Sequence, residues 1–182
     1  MRLFIALDLP EPIKDELHEN AELLRMFCDR GHFSPRENYH ITLAFLGEQP
    51  ESRVADLTAA MDCCETESFP VTFEGLGEFE NGVVWRGIEA SGKLMQLQRE
   101  LTDQLRLRNF DLECRKYRPH LTLARRVILK EKILLSDLSG QIKPLSFQVD
   151  KMTLMCSELS NAGSIYTPMY ESVLFTGARH EL

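Results

Sequence analysis

The chain has 182 residues, 43% of them hydrophobic and 27% charged, with a formal net charge of −7. Length and apolar content suit one domain, or two small lobes sharing a core, and no apolar run is long enough to span a bilayer. The acidic balance excludes a general nucleic-acid coat, whose affinity rests on many basic contacts to phosphate.

In chain order, Leu3 to Leu9 reads as a strand, ended by Asp8, Pro10 and Pro12. Its apolar run, broken by Asp8, is too short for a secretory leader, so a cytoplasmic protein is expected. Ile13, Leu17, Ala21, Leu24 and Phe27 recur at helical spacing; Gly31 is a stop signal, and Ser34-Pro35 marks a loop. Tyr39 to Leu46 is strongly strand-like. Pro50 and Ser52 open a second helix through Val54, Leu57 and Met61. Val71 to Phe73 and Val83 to Ile88 read as paired strands around a loop holding Gly75, Gly77 and the turn pair Asn81-Gly82. Leu94, Leu97, Leu101 and Leu105 give a third helix after Gly92. His120 to Ala124 is a strand introduced by Pro119, and a helix or turn is read around Lys130 to Leu135. Two last strands, Phe147 to Met155 and Ile165 to Phe175, flank a turn at Ser160-Asn161-Ala162-Gly163. Helices and strands interleave irregularly, which is an α+β pattern.

The five cysteines are odd in number, scattered and without C-x-x-C spacing, so reduced thiols are expected rather than a disulfide framework or a zinc site. Charge is unevenly spread. Arg106, Arg108, Arg115, Lys116, Arg118, Arg125 and Arg126 are opposed within their stretch only by Asp111 and Glu113. One local basic segment on an acidic chain suits a single small anionic group.

One internal echo carries the chemistry. His40-Ile41-Thr42-Leu43-Ala44 returns 80 residues later as His120-Leu121-Thr122-Leu123-Ala124, each on a predicted strand. In a strand, residues i and i+2 share a face, so His40 stands with Thr42 and His120 with Thr122, backed by apolar neighbours. A lone His-apolar-Thr is usually only a half-buried strand; two copies followed by the same Leu-Ala are not. Brought together, two imidazoles and two hydroxyls suit a small anion. Imidazole exchanges protons near neutrality, so one ring can take a proton from water while the other gives one to a leaving oxygen. The hydroxyls would hold non-bridging phosphate oxygens. Such a site needs no metal or cofactor, and Asp8 is the only carboxylate a metal-hydrolase reading could enlist.

At these residues the chain resembles the 2H phosphoesterase superfamily, named for two His-x-Thr/Ser motifs. Within it the chain is most similar to the bacterial and archaeal RNA 2′,3′-cyclic phosphodiesterases, historically called 2′-5′ RNA ligases. The match runs through Arg2 to Pro10, through Asn38-Tyr39-His40-Ile41-Thr42-Leu43-Ala44-Phe45-Leu46-Gly47, and through Arg115 to Arg125. It covers nearly the whole chain; Lys116 departs from it where relatives often carry proline. The resemblance implies one bilobal domain over residues 1–182: two pseudo-symmetric lobes, each an antiparallel sheet with helices on its outer face, flanking a central groove. It implies catalysis by His40 and His120, phosphate binding by Thr42 and Thr122, and substrate contacts from Arg125 and Phe45. The expected reaction is hydrolysis of RNA 2′,3′-cyclic phosphate ends to a phosphomonoester, the 2′ isomer by resemblance, without metal or cofactor. RNA ends are the expected partner, with a monomeric protein, no membrane and no obligate protein partner. The alternatives are 2′-5′ bond cleavage or ligation, and a non-catalytic RNA- or nucleotide-binding module.

Two of these positions pose a steric question. Phe45 and Arg125 each lie five residues after their histidine, so strict alternation puts both on the opposite face. They reach the groove only if the strands end or bulge there. Core packing competes with base stacking for Phe45, and a solvated charge competes with phosphate recognition for Arg125. His18, His32 and His180 lack partner spacing and are read as bland. Phe79, Trp85, Tyr166 and Tyr170 are read first as core aromatics.

Overall fold

A computed structural model of the chain describes residues 1–89, 91–161 and 163–175. In chain order, β1 (Arg2–Asp8) leads into α1 (Glu11–Met26), β2 (Cys28–Phe33) and β3 (His40–Glu48). α2 (Val54–Asp62) precedes the hairpin of β4 (Phe69–Phe79) and β5 (Val83–Ile88). α3 (Gly92–Leu107), β6 (His120–Leu129) and α4 (Leu135–Ser139) follow, then β7 (Leu145–Val149), β8 (Lys151–Ser160) and β9 (Gly163–Val173).

The strands form two antiparallel sheets, ordered β3-β1-β8-β9 and β2-β6-β5-β4-β7. Apart from β2, the two answer one another position by position: β3 to β6, β1 to β5, β8 to β4 and β9 to β7. Each histidine motif therefore begins the corresponding strand of its own sheet. The architecture is α+β, with helices on the faces that carry the apolar members of the motifs. Ile41 and Leu43, and Leu121 and Leu123, are all buried in the principal apolar cluster with side chains of α1, α2 and α3. Their polar neighbours sit on the opposite faces.

The lobes interlock. α1 leaves β1 of the first sheet yet packs on β2 and β6 of the second, while α3 leaves β5 and packs on β3 and α2. α3 begins where the Ser91 hydroxyl accepts the Leu94 amide at 3.0 Å, capping one orphan donor of its first turn. It then buries Leu94, Leu97, Leu101 and Leu105 completely, each contributing roughly 1.5–3 kcal/mol on removal from water. The same buried cluster takes Leu3 and Ile5 from one sheet and Phe73 and Leu121 from the other.

Four readings of the sequence need correction. Residues 28–33 form β2 rather than a stop and loop, paired along β6 from Leu129 to Ala124. Only Cys28 and Phe33 of the six are apolar, five residues apart, so the sequence carries no period-2 signal there. Gly75 and Gly77 lie inside an eleven-residue β4 rather than in a loop. The single strand read over Phe147 to Met155 is two strands in different sheets, β7 beside β4 and β8 beside β1. The chain changes sheets at the polar pair Asp150-Lys151, with strand-forming apolar residues resuming at Met152. Finally, β6 runs on past Ala124 to Leu129; the expected turn follows, with the Ile133 amide donating to the Lys130 carbonyl, and the short helix starts at Leu135. β8 and β9 make the expected final hairpin, with Ser160 opposite Gly163; Ala162 of its turn and His180 lie outside the described residues.

Candidate active site

The steric question about Phe45 and Arg125 has a structural answer. Along β3, Thr42 pairs with Ala6 and Ala44 with Ile5, so Leu43 is an extra residue in the ladder. Along β6, Thr122 pairs with Trp85 and Ala124 with Val84, so Leu123 is the extra residue. Each motif thus carries a β-bulge at the leucine that follows its threonine, and each bulge resets the alternation by one residue. Leu43-Ala44 and Leu123-Ala124 are all buried, and the next side chains, Phe45 and Arg125, emerge exposed on the polar face. Phe45 is 53% exposed, so it is not core.

One cavity of about 470 Å³ opens on these faces, lined by Thr42 and Phe45 from one strand and His120, Thr122 and Arg125 from the other. His40 stands beside that wall rather than in it, half-buried behind Thr42. Five of the six expected site residues line one cavity, and the sixth is joined to it through a hydrogen bond.

The two imidazoles are held in the same way. Nδ1 of His40 lies 2.7 Å from the Asn38 carbonyl, and Nδ1 of His120 lies 2.7 Å from the Arg118 carbonyl. A carbonyl only accepts, so Nδ1 carries the hydrogen in both rings and the lone pair of the neutral ring sits on Nε2. At His40 that lone pair accepts the Thr42 hydroxyl, 3.1 Å away. At His120, Nε2 makes no hydrogen bond to a described residue.

Aromatic rings flank both imidazoles. His40 packs against Phe4 at 4.9 Å and edge-on to Tyr166 at 5.2 Å. His120 stands edge-on to Phe79 at 4.9 Å, with Trp85 at 6.2 Å. Trp85 lies across Gly77, where any Cβ would collide with the indole. The glycine in β4 is therefore what lets the indole lie beside His120. Burial is the largest influence on both rings and pulls both below the ordinary histidine range. The carbonyl bonds to Nδ1 oppose it. For His40, Asp8 also opposes it, and the charges of His120 and Arg125 add to it. For His120, the guanidinium groups of Arg115, Arg125 and Arg118 push the same way as burial.

Sequence reasoning missed the place of Tyr166 and left Tyr117 and Arg118 level between lining the groove entrance and a surface role. Tyr166, read as core, packs on His40. Tyr117 is half-buried, and its hydroxyl donates to the Thr42 carbonyl at 3.0 Å, tying the segment before His120 to β3. Arg118 lies over Phe79 at 5.2 Å while its carbonyl holds His120. Their ring and hydroxyl contacts (Tyr166 with His40, Tyr117 with Thr42, Arg118 with Phe79) join residues distant in the chain, so no spacing marks them. Asp8 stands opposite His40 in the β1–β3 ladder and is ion-paired with Lys14 at 3.0 Å. His18 is exposed on α1, and His32 sits on β2 opposite Arg125 rather than in a loop. Among the described residues no three His, Cys, Asp or Glu side chains gather as a metal would require, and the five cysteines are free. No described helix is long and apolar enough to cross a membrane.

Known proteins share this fold. Residues 10–160 match the model of the 2′-5′ RNA ligase superfamily. The RNA 2′,3′-cyclic phosphodiesterase of Thermotoga maritima is 32% identical over 180 residues, covering 94% of each chain. The crystal structure of Escherichia coli LigT in apo form superposes with a TM-score of 0.80 at 27% identity, covering 96% of this chain and 98% of that one. LigT complexed with 3′-AMP gives 0.79 at 28% identity, covering 95% and 97%.

Proposed function

This chain belongs to the 2′-5′ RNA ligase superfamily, and we propose that it is an RNA 2′,3′-cyclic phosphodiesterase working by two-histidine acid–base catalysis without metal. The observation that carries the reading is the matched clamp on the imidazoles. Each Nδ1–H is given to a backbone carbonyl, so each ring offers Nε2 for proton transfer.

With a cyclic phosphate between them, one neutral imidazole takes a proton from water as its oxygen attacks phosphorus. The other, protonated, gives its proton to the ribose oxygen as the opposite P–O bond breaks. One P–O bond forms and one breaks, leaving a phosphomonoester; departure of O3′ gives the 2′ isomer. Burial favours the neutral rings in the free protein, and the bound anion supplies the charge that lets one of them hold a proton. The hydroxyls of Thr42 and Thr122 donate to non-bridging oxygens, Arg125 pairs with the phosphate, and Phe45 packs on a nucleobase. On anion binding the Thr42 hydroxyl turns from His40 Nε2 to phosphate, which frees that nitrogen for the reaction. The acting unit is the whole bilobal chain, as a monomer on RNA ends. With a 5′-hydroxyl in place of water as the nucleophile, the same pair would form a 2′–5′ phosphodiester as O3′ leaves, which is the ligase alternative, and the reverse of that step is 2′-5′ bond cleavage.

The test is a short RNA ending in a 2′,3′-cyclic phosphate, incubated with the protein and EDTA. Conversion to a 2′-phosphate end is expected; unchanged ends in the presence of folded protein would sink the reading.

A further inference from the structure

The cavity is larger than a phosphate needs. At about 470 Å³ it lies in the range of sites that enclose whole small molecules, whereas a single water takes about 30 Å³. Beyond the motif strands it is walled by Gln98 and Thr102 of α3 and by Leu112, Glu113 and Tyr117 of the segment leading to His120. Its linings of Leu43, Ala44 and Leu112 are apolar, and Phe45 and Tyr117 add aromatic faces.

Gln98 is the unexplained group. On the same helix, Gln96 donates to Glu100 at 2.7 Å, and Gln104 accepts from Arg108 at 2.7 Å. The half-buried Gln98 amide makes no hydrogen bond to any described residue, although it faces the cavity. Thr102 has spent its hydrogen on the Arg99 carbonyl and keeps only acceptor capacity. Glu113 is ion-paired with Arg115 at 2.7 Å. An apolar and aromatic slot with one unengaged donor–acceptor amide is matched to a flat heteroaromatic ring with a polar edge.

We propose that this part of the cavity takes the nucleobase of the terminal nucleotide and that Gln98 is its specificity-determining residue, reading the edge of the base. The inference rests on the nucleotide reading of the same cavity. It needs no turnover to be tested. Glutamine presents a donor and an acceptor side by side, the pattern that grips adjacent groups on a base edge. The cost of losing that grip is about tenfold in affinity.

The experiment measures dissociation constants of the four nucleoside 2′-monophosphates and of glycerol 2-phosphate for wild type, Gln98→Leu and Gln98→Glu, beside hydrolysis of the cyclic-phosphate RNA by wild type. The expected result is tighter binding of base-bearing ligands by wild type and a fall of about tenfold in the nucleotide-to-glycerol ratio in Q98L. Q98E, which accepts but does not donate, should reorder the four bases toward those presenting amino groups, an effect that simple loss of packing does not produce. Identical ratios and base order in all three proteins would overturn the proposal even if hydrolysis proceeds. Base discrimination lost in Q98L, without hydrolysis by wild type, would uphold the base slot and overturn the hydrolase reading instead.

Discussion

The two halves of the site share a backbone and differ in their surroundings. Both motifs open a strand, bulge at the leucine after the threonine and fasten Nδ1 to the carbonyl two residues upstream. Around that common frame, His40 is enclosed by Phe4, Tyr166 and the Thr42 hydroxyl, with Asp8 as the charge that favours its protonation. His120 lines the cavity under three arginines. The repeated sequence thus builds two equivalent positions, and unrepeated residues make them unlike. A reaction that needs one acid and one base at the same moment has a use for that inequality.

The largest way to break the comparison is to remove a ring. His40→Ala and His120→Ala should each lower kcat by about 10²–10⁴-fold, the usual worth of a positioned acid or base, with unchanged circular dichroism. Next come the hydroxyls. Thr122→Val should cost about 10²-fold or more in kcat if its hydroxyl bonds the charge that develops on phosphate. Thr42→Val should do likewise and also raise the pKa of His40, because the hydroxyl donates to the neutral ring; NMR titration of the imidazole signals reads the second effect.

Gly77→Ala forces the indole of Trp85 away, at a cost of roughly 1–3 kcal/mol of stability, and should perturb the His120 resonances while leaving those of His40 in place. The smallest effect sharpens the comparison most. Arg115→Gln should raise the pKa of His120, since the guanidinium opposes a second positive charge, and should leave His40 unmoved in the same titration. A matching shift at His40 would mean that the two environments are not separable.

Stability should carry the same signature. Both rings titrate below the unfolded histidine value in the folded protein. Between those values the unfolded chain binds more protons, so stability is present above about pH 6.5 and drains away on acidification. His40→Ala and His120→Ala should each lose less on going from pH 7 to pH 5 than the wild type does.

The sequence displays the paired motifs, their faces and most helices, because all are local periodicities. It hides whatever depends on a partner far along the chain. β2 has no alternation of its own and exists because the edge of β6 is there to pair with it. The run from Phe147 to Met155 has strand-forming apolar residues on both sides of the polar pair Asp150-Lys151, and only the three-dimensional arrangement shows that the pair divides it between two sheets. The bulges that turn Phe45 and Arg125 into the groove fall on the leucine between threonine and alanine in both copies, a residue with no bulge signature. Alternation alone would have placed those two side chains in the core. Tyr117, Gln98 and Tyr166 enter through contacts that no spacing records.

The most direct test of the two-histidine account is kcat/KM against pH for cyclic-phosphate RNA, measured with wild type, His40→Ala and His120→Ala. The account predicts a bell for wild type, with its acid limb below the ordinary histidine pKa of about 6.5. Each variant's residual activity should lose a different limb, the base variant the acid side and the acid variant the alkaline side. A bell that survives in either variant, or the same limb lost in both, would contradict the division of labour between the rings.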